Sequence, residues 1–169
     1  YFKKNKKKYD LIISRAVMEH LRYPIQTLKA MINSMMPNGK ILHRIDLRDH
    51  GMFSSNFYEL KFLEIPSLIY QLMTRYSGRP NRILLENYLN FLIINSKILN
   101  FTFKIYITRI VGIKEEISPH ILLDKFQIDE YKKSKKIVIN NVNKFSRKIK
   151  KNNIKNLMVS GIFLVIEKI

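Results

Sequence analysis

The spacing of apolar residues changes character several times within the first 46 positions. Residues 9–14 form a near-continuous apolar run, which predicts a strand covered on both faces, as in a parallel sheet. A short helical turn follows up to residue 21, and Pro24 suits the first turn of a longer helix. Apolar residues then recur at spacings of three and four, which predicts a buried helical stripe: Ile25, Leu28, Ile32 and Met35. Turn chemistry at residues 37–39 predicts the end of that helix, and residues 40–46 predict a second strand.

This order of strand, helix and strand predicts a crossover unit of an α/β sheet. Residues 47–82 are polar and aromatic and contain breaking Gly and Pro residues; a segment of this length is more often functional than idle. Residues 83–94 predict a helix and residues 101–107 a strand. Residues 118–155 are charged and predicted to be mostly helical, and residues 158–166 predict a final strand. Because the last two strands flank that charged excursion, we expect them to form an antiparallel hairpin.

Composition adds a strong positive charge to this pattern. The 169 residues are enough for one domain, and the chain has 31 basic against 13 acidic residues, a formal charge of +18. Such a charge attracts polyanions. The Lys residues, however, lie in runs with Asn and Ile and without interleaved aromatic residues, at 3–8, 132–136 and 144–155. A solvated surface produced by compositional drift is therefore favoured, and nucleic acid is the less favoured partner.

Several classes of site and location are disfavoured by the residue types. The chain contains no Cys, which excludes disulfides and thiolate metal sites. With four His and no Glu-x-x-His spacing, no metal site is predicted. No uninterrupted apolar run reaches 18 residues, so no transmembrane helix is predicted. The chain starts with Tyr inside a basic run that lacks the apolar core of a signal peptide, which leads us to expect a cytoplasmic fragment whose N-terminal part is missing.

Two stretches of sequence resemble a known family. "YDLIISRAVMEHL", a helix, "MMPNGKIL" and a strand look like the second half of a class I S-adenosylmethionine-dependent methyltransferase. The family's fourth strand begins with an acidic residue before apolar ones, as Asp10 does here. A hydroxyl residue and a Glu-His pair follow, matching Ser14 and Glu19-His20. The family's "Leu-x-Pro-x-Gly-Gly" turn has Lys40 in place of the second Gly.

The resemblance extends over nearly the whole chain. "HRIDLRDHGMF", "GRPNR" and "LMVSG" are similar to segments of a bacterial subgroup of that family. It implies a partial Rossmann-like α/β fold, with a mostly parallel sheet, an antiparallel C-terminal strand and missing N-terminal strands. Residues 1–169 would be the C-terminal part of a single methyltransferase domain, with a variable lid or acceptor segment at 47–82 and a charged helical insertion at 110–157. The family's glycine-rich cofactor loop would lie upstream, so we expect this chain to be inactive alone.

The implied activity is methyl transfer from S-adenosylmethionine to an unidentified small-molecule, lipid or saccharide acceptor. Because ligands of open α/β sheets bind at the carboxyl ends of the strands, residues there are the site candidates. The candidates for cofactor binding are Ser14, Arg15, Ala16 and Glu19. The candidates for substrate binding are Asp46, Arg48, Asp49, Arg79, Asn81 and Arg82. His20 and His50 are the catalytic candidates, since a histidine suits a general base when the acceptor is a hydroxyl.

Each assignment has a structural alternative. Ser14 could cap the following helix, and Glu19 with His20 could form a hydrogen-bonded pair at a helix end. His43 alternates with two Ile residues, which predicts a buried histidine of the core.

The acidic and basic residues of the loops have alternatives as well. The four ionisable residues within 46–50 could form only a salt-bridged loop, while Arg79 and Arg82 could cap the helix that begins near Ile83. At the level of the whole chain, the alternatives are a basic module that binds nucleic acid or an anionic surface, and a noncatalytic methyltransferase-like domain.

Overall fold

A five-stranded sheet organises the part of the chain that the computed structural model describes, which is residues 7–53, 58–78 and 80–169. The strands are β1 (Tyr9–Arg15), β2 (Met35–Asp46), β3 (Phe101–Ile110), β4 (Ile121–Leu122) and β5 (Val159–Lys168). Their order across the sheet is β1-β2-β5-β3-β4.

The strand directions decide where the loops meet. β1 and β2 are parallel, whereas β5 is antiparallel to both β2 and β3. β1, β2 and β3 therefore point the same way, and the C-terminal strand is inserted between two of them in the opposite direction. This confirms the predicted α/β fold class with its antiparallel C-terminal strand, and the predicted pairing of the last two long strands.

Five helices accompany the sheet in the described ranges. They are α1 (Pro24–Asn33), α2 (Ser67–Thr74), α3 (Leu85–Asn95), α4 (Lys132–Asn141) and α5 (Ile154–Leu157). None of the described helices has the length and apolar character needed to cross a bilayer.

The core lies where α1 and α3 meet the central strands. Leu28 and Ile32 of the predicted stripe on α1 are fully buried. From residue 39 on β2 and from residue 162 to residue 166 on β5, alternate residues are buried, including Ile41, Ile45 and Ile162. Burying one such aliphatic side chain contributes about 1.5–3 kcal/mol. This packing fixes the positions of the carboxyl ends of the strands relative to one another.

The boundary between α1 and β2 differs from the prediction. α1 ends at Asn33, and β2 already begins at Met35, so residues 37–39 lie inside the strand rather than in a turn. The pairing of β1 with β2 jumps from Tyr9 opposite Met35 to Leu11 opposite Lys40, which makes residues 36–39 a bulge. The Asn and Gly residues that resemble a helix stop in the sequence therefore lie in this bulge.

The exposure of β1 is also different. Ile12 is buried, but Leu11 and Ile13 on the other face are 51% and 66% exposed. The prediction that both faces of this strand are covered is therefore wrong for the described residues. The apolar run alone did not distinguish a strand buried on one face from one buried on both.

The structure of the two long variable segments differs from the prediction: residues 118–155 are less helical than expected, and residues 47–82 are more regular than expected. Residues 118–155, predicted to be mostly helical, contain α4, one turn of α5, short 3-10 turns and β4. Residues 47–82, predicted to be irregular, contain α2, whose apolar residues recur at helical spacing at 68, 69, 72 and 73. Their roles as insertion and lid stay predictions.

Candidate active site

A cavity of about 190 Å³ opens at the edge where β1, β2 and β3 end and β5 begins. It brings together four predicted site residues, Arg15, Ala16, Glu19 and Asp46. Its lining also includes residues that the sequence analysis missed: Arg44, Ile45, Thr108, Arg109 and Gly161. The structure therefore places these four predicted residues around one cavity, together with others that the sequence did not indicate, and their roles as site residues stay predictions.

The missed residues lie on strands that reach the same edge. Thr108 and Arg109 are near the carboxyl end of β3, which runs parallel to β1 and β2 although it pairs with neither. Arg44 is two residues before Asp46 on β2 and so shares its face. A Cβ on Gly161 would lie 2.7 Å from Thr108 Oγ1, so close packing at this point requires glycine. The rule about strand ends, applied to the third parallel strand as well, could have found two of them.

The turn after β1 is held by backbone contacts and by one amide side chain. Ala16 has a φ of 54°, and its N–H donates to the Arg44 carbonyl at 3.1 Å. The next residues form a 3-10 turn, Met18–His20. The Asn81 side chain donates to the carbonyls of Met18 and Leu21, at 2.9 and 2.8 Å. The turn that carries Glu19 and His20 is thus fastened from a residue about 60 positions away.

Glu19 is the most unusual carboxylate of the site. The residue is only 1% exposed, and neither of its side-chain oxygens has a hydrogen-bond partner among the described residues. Burial raises the pKa of Glu19 above its ordinary value, although the nearby amides of Glu19 and Asp46 and the charge of His20 act in the opposite direction. The cavity therefore contains an acceptor group whose hydrogen-bonding capacity is unused.

The two predicted catalytic histidines lie side by side. The rings of His20 and His50 have centroids 5.2 Å apart and are tilted by 57°. His20 Nδ1 is 2.7 Å from the Gly78 carbonyl, to which it donates, so its Nε2 carries the free lone pair. His50 has a φ of 58°, which holds it at a sharp turn after β2. The fold unites two exposed imidazoles that are 30 residues apart in sequence.

The ionisable residues that follow β2 form a paired loop. Arg48 grips Asp46 with two hydrogen bonds, Nε to Oδ1 at 2.9 Å and Nη2 to Oδ2 at 2.6 Å. Burial alone would raise the pKa of Asp46, but these bonds and the Arg48 charge lower it below its ordinary value. Asp49 is buried and accepts from the N–H groups of Gly51 and Phe53, both at 2.9 Å. The salt-bridged-loop alternative describes these contacts, and acceptor binding by this cluster stays a prediction.

Ser14 does not line the cavity but contacts a buried histidine. Its Oγ lies 2.6 Å from His43 Nδ1, and the following 3-10 turn has no side-chain cap. His43 is 0% exposed, which confirms the predicted core histidine, and burial lowers its pKa to about 4. Its Nε2 has no hydrogen-bond partner in the described part of the chain. A cofactor contact by Ser14 stays a prediction.

The remaining substrate candidates follow α2. The Asn81 amide is engaged by three backbone groups, since its Oδ1 also accepts from the Ile83 N–H at 2.9 Å. Arg82 donates to the carbonyls of Ile65 and Phe62, and its guanidinium lies 3.8 Å from the centroid of the Tyr70 ring. These contacts position loops, so substrate binding by either residue stays a prediction.

Burial also alters the Arg82 guanidinium, lowering its pKa to about 10. Arg82 does not cap α3; at that helix start the Leu84 N–H donates to Asn87 Oδ1 at 3.0 Å. Arg79 lies outside the described residues.

The structure is an α/β domain with a polar cavity at the carboxyl edge of its sheet. A family model described as a methyltransferase domain matches residues 2–88, which is slightly more than half of the chain. The chain belongs to this methyltransferase domain family. The predicted resemblance to class I methyltransferases is thereby confirmed.

Solved structures give weaker likenesses. The plantazolicin methyltransferase BpumL in complex with SAH is 17% identical, with a TM-score of 0.42; the match covers 96% of this chain and 52% of that one. Phospholethanolamine N-methyltransferase 2 of Haemonchus contortus is 14% identical, with a TM-score of 0.35, in a structure with phosphomonomethylethanolamine and S-adenosylhomocysteine. That match covers 94% of this chain and 32% of the Haemonchus protein. The chain therefore spans about half of the length of the first protein and about a third of the length of the second. No curated protein matches the chain. The family assignment rests on the family model.

Proposed function

We propose that this chain forms the acceptor-side half of an S-adenosylmethionine-dependent methyltransferase that methylates a hydroxyl of a small molecule, lipid or saccharide. The observation that carries the proposal is the cavity at the carboxyl edge, which unites Arg15, Ala16, Glu19 and Asp46 in a chain of the methyltransferase domain family. Ligands of open α/β sheets bind at this edge.

The chemistry of the lining suits one part of the cofactor. Arg15, Arg44 and Arg109 offer donors to a carboxylate, while Glu19 and Asp46 offer acceptors to an ammonium group. A ligand pocket for a whole cofactor or drug-sized molecule usually exceeds about 300 Å³. A cavity of about 190 Å³ therefore fits the amino-acid end of S-adenosylmethionine rather than the entire molecule.

The bound cofactor supplies a methyl group on a sulfonium, which is already activated for displacement. What this chain must add is alignment of the acceptor and exclusion of water. A hydroxyl acceptor must also lose its proton. His20 is suited to take it, because its Nδ1 donates to the Gly78 carbonyl and its Nε2 remains free; His50 lies beside it as the alternative base.

The residues predicted to bind the acceptor take supporting roles in this proposal. The pair of Asp46 and Arg48 keeps the loop after β2 at the rim of the cavity. Asn81 positions the turn that carries His20. α2 and the segment around it are the proposed lid over the acceptor.

Calorimetry with S-adenosylhomocysteine on the chain at its full natural length tests the proposal. We expect binding by the natural protein and at least tenfold weaker binding by Ala16→Leu, because the larger side chain fills the cavity. Met36→Leu is the matched control, an exposed residue in the bulge of β2, and should bind like the natural protein. No binding by the natural protein, or equal binding by Ala16→Leu and the control, would overturn the proposal.

A second candidate function, contact with an anionic lipid surface, is favoured by a different feature. A groove of about 680 Å³ beside the start of α2 is lined by four basic residues, Lys144, Arg147, Lys148 and Lys151. Ser67 at the start of α2 also lines the groove, and the helix carries exposed apolar side chains at 68, 69 and 72. Apolar side chains beside basic ones suit a bilayer interface better than a nucleic-acid backbone.

Sedimentation with vesicles tests whether the groove binds an anionic bilayer rather than a nucleic acid. We expect binding to vesicles containing phosphatidylserine, not to phosphatidylcholine alone, and a decrease with salt. The double variant Lys148→Glu and Lys151→Glu should lose binding, whereas Lys97→Glu with Lys104→Glu, an equal change in charge, should retain it. Binding to RNA but not to vesicles would overturn the lipid interpretation.

A further inference from the structure

Three potential metal ligands converge beside the cavity. A carboxylate oxygen of Glu19 and ring nitrogens of His20 and His50 all lie within 4.8 Å of one another. Glu19 and His20 follow β1, and His50 follows β2, so the cluster joins the two loops at the carboxyl edge. No spacing in the sequence indicates this set, because His50 lies 30 residues after His20.

The carboxylate of this set lacks a partner. Glu19 is buried, and neither of its oxygens has a hydrogen bond from any described residue. Buried polar groups are nearly always satisfied, and a buried carboxylate without a hydrogen bond or a cation is costly. A cation held between Glu19 and the two imidazoles would supply the missing interaction.

His20 is oriented as metal-binding histidines usually are, and the loop of His50 is held by hydrogen bonds to its neighbour. His20 donates its Nδ1 proton to the Gly78 carbonyl at 2.7 Å, which leaves Nε2 as the ligand atom and fixes the direction of the ring. The turn that holds His20 is fastened by Asn81, whose backbone N–H also donates to the Glu19 carbonyl at 2.6 Å. The loop of His50 is tied by its neighbour Asp49, which accepts two backbone N–H groups.

We propose that Glu19, His20 and His50 bind a divalent transition-metal ion such as Zn²⁺. Two imidazoles and one carboxylate are a ligand set that zinc takes in sites with an open position. Mg²⁺ and Ca²⁺ prefer oxygen ligands alone, so this set disfavours them. Ligand atoms around a tetrahedral zinc ion are about 3.3 Å apart, so a bound ion would draw the three groups closer together than the 4.8 Å within which their ligand atoms lie.

The metal site goes beyond the proposed methyl transfer and does not rest on it. An imidazole nitrogen that coordinates a metal ion cannot at the same time accept a proton from the acceptor. The general-base role of His20 or His50 is therefore proposed for the metal-free chain only. Metal binding by the chain without cofactor or acceptor examines this inference independently of the enzymatic activity.

The test is titration of the untagged chain at its full natural length with Zn²⁺ by calorimetry and with Co²⁺ by visible absorption. We expect one ion per chain and a cobalt spectrum typical of four or five ligands. His50→Gln should weaken binding at least tenfold, and Glu19→Gln should do so as well. His120→Gln is the control: His120 is exposed and lies 3.1 Å from Glu116, far along the chain from the three ligands.

Two results would overturn the inference: the absence of stoichiometric binding by the natural chain, or an equal loss with His120→Gln. His50 is exposed, so its substitution leaves the core intact and keeps the test valid even if Glu19→Gln unfolds the protein. A circular-dichroism spectrum recorded without metal checks that each variant is folded before its affinity is compared.

Discussion

The buried His43 predicts a specific dependence of stability on pH. His43 is fully buried on β2, with Ser14 as its hydrogen-bond partner, and burial lowers its pKa from 6.5 to about 4. In the unfolded chain, the imidazole regains its ordinary pKa. Between these two values the unfolded state binds more protons than the folded state, so the free energy of unfolding falls as the pH falls.

The size of the effect follows from the two pKa values. Their difference corresponds to about 3 kcal/mol in total, of which about 2 kcal/mol is lost between about pH 7 and about pH 5. Above the unfolded-state pKa the histidine is neutral in both states and the effect vanishes. Below about pH 4 both states are protonated, and no further stability is lost from this group.

Urea denaturation of the natural chain and of His43→Leu at both pH values measures this loss. Leucine has no titrating group, so the stability difference between the two proteins should change by about 2 kcal/mol between the two pH values. Comparing the proteins cancels the titration of other groups, such as Glu19, whose raised pKa acts in the opposite direction. Ser14→Ala is the control that keeps His43 and should keep the pH dependence. A change below about 0.5 kcal/mol would refute the reasoning that His43 is held neutral by burial.

Three further substitutions test the packing around the site. Asn81→Ala removes the amide that makes hydrogen bonds to three backbone groups, so it should lower the free energy of unfolding by about 2–3 kcal/mol in urea denaturation. A loss below about 0.5 kcal/mol would mean that the amide does not hold the turn in place. Gly39→Ala places a Cβ 2.9 Å from two backbone oxygens, so it should lower the free energy of unfolding by about 1–3 kcal/mol and lower the thermal midpoint. An unchanged midpoint would contradict the close approach of these atoms. Tyr88→Phe removes a buried hydroxyl that has no hydrogen-bond partner among the described residues, so the free energy of unfolding should stay the same or rise by up to about 1 kcal/mol. A lower denaturation midpoint would show that the hydroxyl does have a hydrogen-bond partner.

Much of the local architecture could be predicted from residue patterns. The apolar run of β1, the helical stripe of α1 and the alternation of β2 identified three successive elements, with errors in their boundaries and in the exposure of β1. The same stretch carried the resemblance to methyltransferases, and the family match over residues 2–88 confirmed it. These predictions succeed because burial on one face leaves a short-range period in the sequence.

The boundary errors arose where a contact between strands outweighed a local signal. Residues 37–39 have the chemistry of a helix stop, yet they form a bulge inside β2 because Gly39 packs against the backbone of β1. Likewise, the apolar composition of β1 did not reveal that Leu11 and Ile13 are exposed. Both features depend on which strand lies alongside, which no short window of sequence contains.

The composition of the site depended on the tertiary structure more strongly still. The sequence placed polar residues after β1 and β2, but the pairing of β5 between β2 and β3 brought Arg109 to the same cavity. The meeting of His20 with His50, and the isolation of the Glu19 carboxylate, follow from the packing of two loops that are distant in sequence. Periodicity records whether a residue is buried, whereas the order and direction of the strands determine which polar groups meet.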